Sequence, residues 1–164
     1  MRTALYVADV AQSLADGKLS IMGLYTDRVL QMVAEANAGP SSELPFGVTV
    51  LSIVITIMDL EPGEHDVQIR LIEPNGDPYP SPIPNRRLRM LPGGSANVLM
   101  SFAPFVVRHF GRFDIMITAD DSVNARESFE IRRIIPGSVP ESVLEHLPPE
   151  ARARFGNVAE GAGE

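Results

Sequence analysis

From Asp66 to Ile72 polar and apolar side chains alternate without a break, Val67, Ile69 and Leu71 against Asp66, Gln68 and Arg70. A period of two marks an extended strand with one buried face, because successive side chains leave a pleated backbone on opposite sides. Arg112 to Ala119 repeats the pattern, with Phe113, Ile115 and Ile117 inward and Arg112, Asp114, Met116 and Thr118 outward. Ser128 to Arg132 does so again around Phe129 and Ile131, and Leu19, Ile21 and Gly23 alternate with Lys18, Ser20 and Met22. Segments of this kind cannot bury their apolar faces as helices; they need sheets.

Between them lie tight reversals: Ala15-Asp16-Gly17-Lys18, Glu61-Pro62-Gly63-Glu64, Pro74-Asn75-Gly76-Asp77 and Asp120-Asp121-Ser122. Glycine supplies positive φ, proline presets φ, and aspartate bonds its own backbone, so each stretch is a turn for a stated reason. Short strands joined by such turns, without helical crossovers, predict a mainly β fold: a two-sheet antiparallel β-sandwich. The chain has 164 residues, 45% of them hydrophobic, which is enough for one core.

Four stretches modify this picture. Val48 to Met58 is apolar on both parities, and its phase slips between Val50 and Leu51. That predicts a central strand with a bulge, or a passage from one sheet to the other. Asn97 to Val107 is similar but broken by Pro104, which cannot donate to a ladder. Thr26 to Ala38 has Val29, Met32, Val33 and Ala36 at helical spacing behind Asp27, yet fits equally a strand continuing outward, the reading preferred here. Pro78, Pro80, Pro82 and Pro84 occupy alternate positions and predict an extended, polyproline-like stretch along a sheet edge. The β domain is expected over residues 1–135. After it, Ser138 with Glu141 matches a capping box ahead of Val139, Val143 and Leu147, so a short helical tail is expected over 136–155 and disorder over 156–164.

Charge and composition exclude several classes. A net charge of −7 argues against nucleic acid as a partner and against electrostatic docking to an anionic membrane. No cysteine is present, which removes disulfides, thiolate nucleophiles and cysteine metal sites. The first apolar run is interrupted by Asp9, too early for a signal peptide, and Val48 to Met58 is too short to span a bilayer as a helix. The chain is read as cytoplasmic.

Ala8-Asp9, followed by Asp16-Gly17-Lys18-Leu19-Ser20-Ile21-Met22-Gly23-Leu24-Tyr25, resembles the N-terminal signature of a bacterial domain family of unknown function. Pro62-Gly63-Glu64-His65 with Val67, Ile69 and Leu71, and Gly111-Arg112-Phe113 with Ile115 and Ile117, are similar to its later strands. The resemblance spans roughly Leu5 to Ile131 and implies an immunoglobulin-like or C2-like sandwich. It implies no activity and no catalytic residues. The stretch from Gln31 to Leu44 and the tail beyond Pro136 depart from it.

Few residues suggest chemistry. A histidine metal site needs His65, His109 or His146 to converge with carboxylates, and His65-Asp66 point to opposite faces of a strand. Asp9 lies in an apolar strand, where it is either a buried base or ligand, or a strand-end carboxylate holding backbone or an arginine; the second is preferred. Asp16, Asp77, Asp120 and Asp121 occupy turns, and would bind calcium only if several met at one end of the sandwich. Arg86, Arg87 and Arg89, with Arg132 and Arg133, form either an anion site or a solvated face. No nucleophile–base pair can be named, and Pro92-Gly93-Gly94-Ser95 lacks the lysine of a phosphate loop. The candidate metal residues are therefore Asp9, His65, Asp16, Asp120 and Asp121, with no cofactor assigned. The expectation is a non-enzymatic binding or protein-interaction module, with a protein partner or self-association through an edge strand or the C-terminal tail. The alternative is a small-ligand or metal-binding protein, possible enzymes included, with a site at one end of the sandwich.

Overall fold

The structure, a computed structural model, describes residues 1–15, 18–33, 46–81 and 83–134. These residues form eleven strands and no helix: β1 (Arg2–Ser13), β2 (Leu19–Leu24), β3 (Val29–Val33), β4 (Phe46–Val48), β5 (Leu51–Met58), β6 (Gly63–Ile72), β7 (Arg86–Met90), β8 (Ser95–Phe102), β9 (Phe105–Val107), β10 (Gly111–Ala119) and β11 (Val123–Ile134). One sheet has the order β2-β1-β5-β8, a second β3-β11-β10-β6-β7, and β4 pairs with β9 in a small third. Two compact units are distinguished, Met1–Leu30 with Pro45–Ile131, and Gln31–Leu44 with Arg132–Glu164. Everything below concerns the first. No helix of the described residues is long and apolar enough to cross a membrane.

Alternation in the sequence becomes burial in the fold. Val67, Ile69 and Leu71 of β6, Phe113, Ile115 and Ile117 of β10, and Phe129 and Ile131 of β11 are all buried. Their register matches: Ile115 stands opposite Leu71 and Ile117 opposite Ile69, so like faces meet across the ladder. Burying each of these side chains contributes about 1.5–3 kcal/mol, which is why a slip by one residue is strongly disfavoured. Rings join the sheets: Phe102 of β8 meets Phe105 of β9 at 5.4 Å, and Phe105 meets Phe113 of β10 at 5.7 Å. Phe113 stacks on Phe129 at 5.2 Å.

The phase slip at Val50 marks a change of sheet. Phe46 and Val48 belong to β4 and pair with Val107 and Phe105, whereas Leu51 starts β5 in the first sheet. There β5 lies between β1 and β8, and both parities are buried, Val54 as fully as Ile53 and Ile55. Pro104 interrupts as expected, through a cis Ala103–Pro104 bond between β8 and β9. Val29 to Val33 is strand, without the helix that its spacing also allowed. It is no outward continuation of β2, because a turn intervenes in which Arg28 donates to Tyr25 at 3.0 Å, and β3 joins the other sheet beside β11. The stretch 34–38, the expected tail helix over 136–155 and the expected disorder over 156–164 lie outside the described residues.

Candidate functional site

The β6–β7 ladder runs from Gly63↔Met90 to Val67↔Arg86 and stops. Continuing its register would set Pro84 against Ile69 and Pro82 against Leu71. Proline has no N–H to give, so the ladder cannot zip further. Among the described residues the chain instead meets β6 as a strap at Tyr79, whose N–H donates to the Leu71 carbonyl at 2.8 Å, and at Pro78, which bridges Ile72. Between these closures lies a groove of roughly 300 Å³, walled by Ile69, Arg70, Pro80, Ser81, Ile83 and Asn85.

Its floor is backbone. Leu71 turns its carbonyl to the strap, so Ile69, two residues earlier, turns its own N–H and C=O to the same edge. Among the described residues no hydrogen bond joins Ile69 to the strap. The proline run was legible in the sequence; the open edge that it creates was not.

The two described histidines have different fates. His65 Nδ1 lies 2.6 Å from Asp120 Oδ2, and Nε2 lies 2.7 Å from the Glu61 carbonyl. A carbonyl only accepts, so Nε2 carries a proton, and Asp120 favours a second one on Nδ1. The Asp120 hydrogen bond, seconded by the Glu61 carbonyl, raises the pKa of His65 above its ordinary 6.5, and the same bond lowers that of Asp120. Asp120 Oδ1 also accepts the Asp66 N–H at 2.9 Å. With both nitrogens engaged, His65 is a clamp between two turns.

His109 is fastened at one nitrogen: Nδ1 lies 3.2 Å from Glu73 Oε2, and the imidazole is 38% exposed. Glu73 is 4% exposed, and its buried Oε1 has no hydrogen-bond partner among the described residues. Sequence reasoning missed Glu73, although the signal was there. It occupies the next inward position after Val67, Ile69 and Leu71, where a carboxylate is costly.

Asp9 accepts the Tyr25 hydroxyl at 2.5 Å, and its carboxylate fills the space beside Gly23 that a side chain would take. Burial and that bond push Tyr25 up to about 12. Asp121 accepts from Gln68 at 3.3 Å, and Asp77 from Asn75 at 2.7 Å. Arg87 bonds Asp66 at 3.2 Å. The structure thus joins His65 to Asp120 but keeps Asp9 apart: Asp9 follows Ala8, which pairs with Ser52 near the start of β5, whereas His65 follows the turn after Met58 at its end. The intervening strand is about 20 Å long. Among the described residues no three His, Asp or Glu side chains are grouped to hold a metal ion. Asp16 and His146 lie outside the described residues.

Among solved structures the chain is similar to a β-glucosidase from Listeria innocua in complex with gluconolactone, at 9% identity and a TM-score of 0.35 over 79% of this chain. The same enzyme in complex with isofagomine gives 8% identity and 0.36 over 82%. In both cases the chain spans 16% of the enzyme's length. No protein of curated function matches. A family of unknown function, DUF6941, matches residues 3–132, from β1 into β11, and the chain belongs to that family.

Proposed function

We propose that the chain is a non-enzymatic binding module that takes an extended peptide segment into the groove beside β6. The observation that carries this reading is the backbone of Ile69 beneath the proline strap, which among the described residues has no hydrogen bond to that strap. An open strand edge offers N–H and C=O groups to an added strand, which gains affinity from main-chain bonds and specificity from pockets for alternate side chains. Pro78, Tyr79 and Ile83 supply such walls.

The scaffold is read as an immunoglobulin-like sandwich. Supporting this, β1-β5-β8 against β11-β10-β6-β7 follows the order of the A, B, E and G, F, C, C′ strands, with β2 and β3 inserted after the first. A small-ligand reading is favoured by one feature, the Glu73–His109 pair, whose second imidazole nitrogen has no hydrogen bond among the described residues. It lacks a partner for chemistry, since no hydroxyl bonds His109 among the described residues.

Replacing Pro84 tests the binding reading. Pro84→Val (P84V) restores an N–H opposite Ile69 and lets β7 extend along β6. Peptides selected from a random display library against the wild-type chain should fail to bind P84V while the variant remains folded. Undiminished binding to P84V would remove the groove from consideration.

A further inference from the structure

Five arginines on this surface are matched by carboxylates. Arg2 pairs with Asp59, Arg28 with Glu127, Arg87 with Asp66, and Arg112 and Arg126 both with Asp114. The cleft lined by Arg28 and Arg112 therefore presents no spare cation. Arg70, Arg86, Arg89 and Arg108 differ: all four are exposed, and among the described residues no ion pair joins any of them to a carboxylate. Of these only Arg70 lines the groove beside β6; Arg86, opposite Val67 in the register, lies on the other face of the sheet. In a chain of net charge −7, an exposed guanidinium that lines the groove without an anion marks a place for an anion from outside.

We infer that the segment entering the groove is acidic, with an aspartate or glutamate beside Arg70. This rests on the peptide-binding reading and adds the chemistry of the partner. The geometry follows from strand pairing. A segment laid along β6 and bonded to the Ile69 backbone turns alternate side chains to opposite faces. Ile69 and Arg70 have opposite parity, Ile69 buried and Arg70 exposed. Positions of the incoming strand facing the core side meet Ile83 and Pro80 and suit β-branched residues. The intervening position lies across from Arg70 on the solvent side, where a carboxylate can accept two guanidinium N–H bonds. A lysine or arginine there would face like charge. Free phosphate or a nucleotide is a poorer match, since neither adds to the Ile69 edge.

Peptides selected from a random library against the purified chain test this, with amide chemical shifts of the ¹⁵N-labelled chain locating the site. The expected peptides alternate β-branched residues with aspartate or glutamate and shift the amides of Ile69 and Leu71. They should bind Arg70→Gln (R70Q) roughly tenfold more weakly, and weaken further as salt rises. Neutral or basic peptides that shift Ile69 and bind R70Q unchanged would overturn the acidic partner while leaving the groove as a peptide site. Peptides that bind without shifting Ile69, or the absence of any selected peptide, would overturn both.

Discussion

The imidazole of His65 and the carboxylate of Asp120 meet at 2.6 Å although 55 residues separate them, and the bond ties the turn before β6 to the turn between β10 and β11. Asp120 and Asp121 hold φ values of 50° and 58°, so the second turn is of the left-handed kind that aspartate tolerates better than most residues. The pH dependence follows from the two shifts. His65 is raised above 6.5, so its contribution is complete below that value and is lost as pH climbs through the folded pKa. Asp120 is lowered from 3.8, so its contribution is present above that value and is lost as pH falls through the folded pKa. Urea midpoints of the wild-type chain should therefore fall from about pH 6 toward pH 9, and His65→Gln should flatten that slope. Parallel slopes in the two proteins would contradict the clamp.

Glu73 presents a different balance. Its carboxylate is buried and, among the described residues, has one bond, to His109 at 3.2 Å, with no partner for Oε1. Removing an orphaned buried oxygen in favour of an apolar side chain of similar size is often neutral or stabilising, whereas truncation leaves a cavity. Glu73→Leu should change stability by less than about 1 kcal/mol, and Glu73→Ala should cost about 2 kcal/mol, measured by urea unfolding. A loss near 3 kcal/mol in Glu73→Leu would make the carboxylate a structural necessity.

Asp9, Gly23 and Tyr25 act as one unit. Gly23 has φ of +67°, and a Cβ there would stand 2.1 Å from Asp9 Oδ2. Gly23→Ala should cost about 2 kcal/mol, while Asp9→Ala combined with it should recover part of that loss because the clash is gone. Tyr25, raised to about 12 by burial and by Asp9, should stay protonated beyond the range of an ordinary phenol. Its contribution is complete below pH 10 and lost as pH rises through the folded value. Ultraviolet titration of the wild type against Tyr25→Phe would show a late phenolate that the variant lacks.

Much of the scaffold was legible because burial imposes its own period. Phe113, Ile115 and Ile117 could face only one way, and the slip at Val50 marked either a bulge or a change of sheet, between which the β4–β9 pairing decided. Val29 to Val33 fits both periods, and pairing with the second sheet, a non-local event, decided it. Site features resisted for the same reason. His65 finds Asp120 through strand register, and Glu73 finds His109 36 residues away. The four prolines could be read as an edge stretch, but the gap opposite Ile69 depends on where the β6–β7 ladder begins.

Amide hydrogen exchange at Ile69 reports whether the β6 edge is open. In the free chain Ile69 should exchange far faster than His65, which lies inside the β6–β7 ladder opposite Leu88. Adding a selected peptide should slow Ile69 and leave His65 unchanged. An Ile69 amide already as protected as that of His65 in the free chain would mean that the edge is closed, and the account of this groove as a binding site would be wrong.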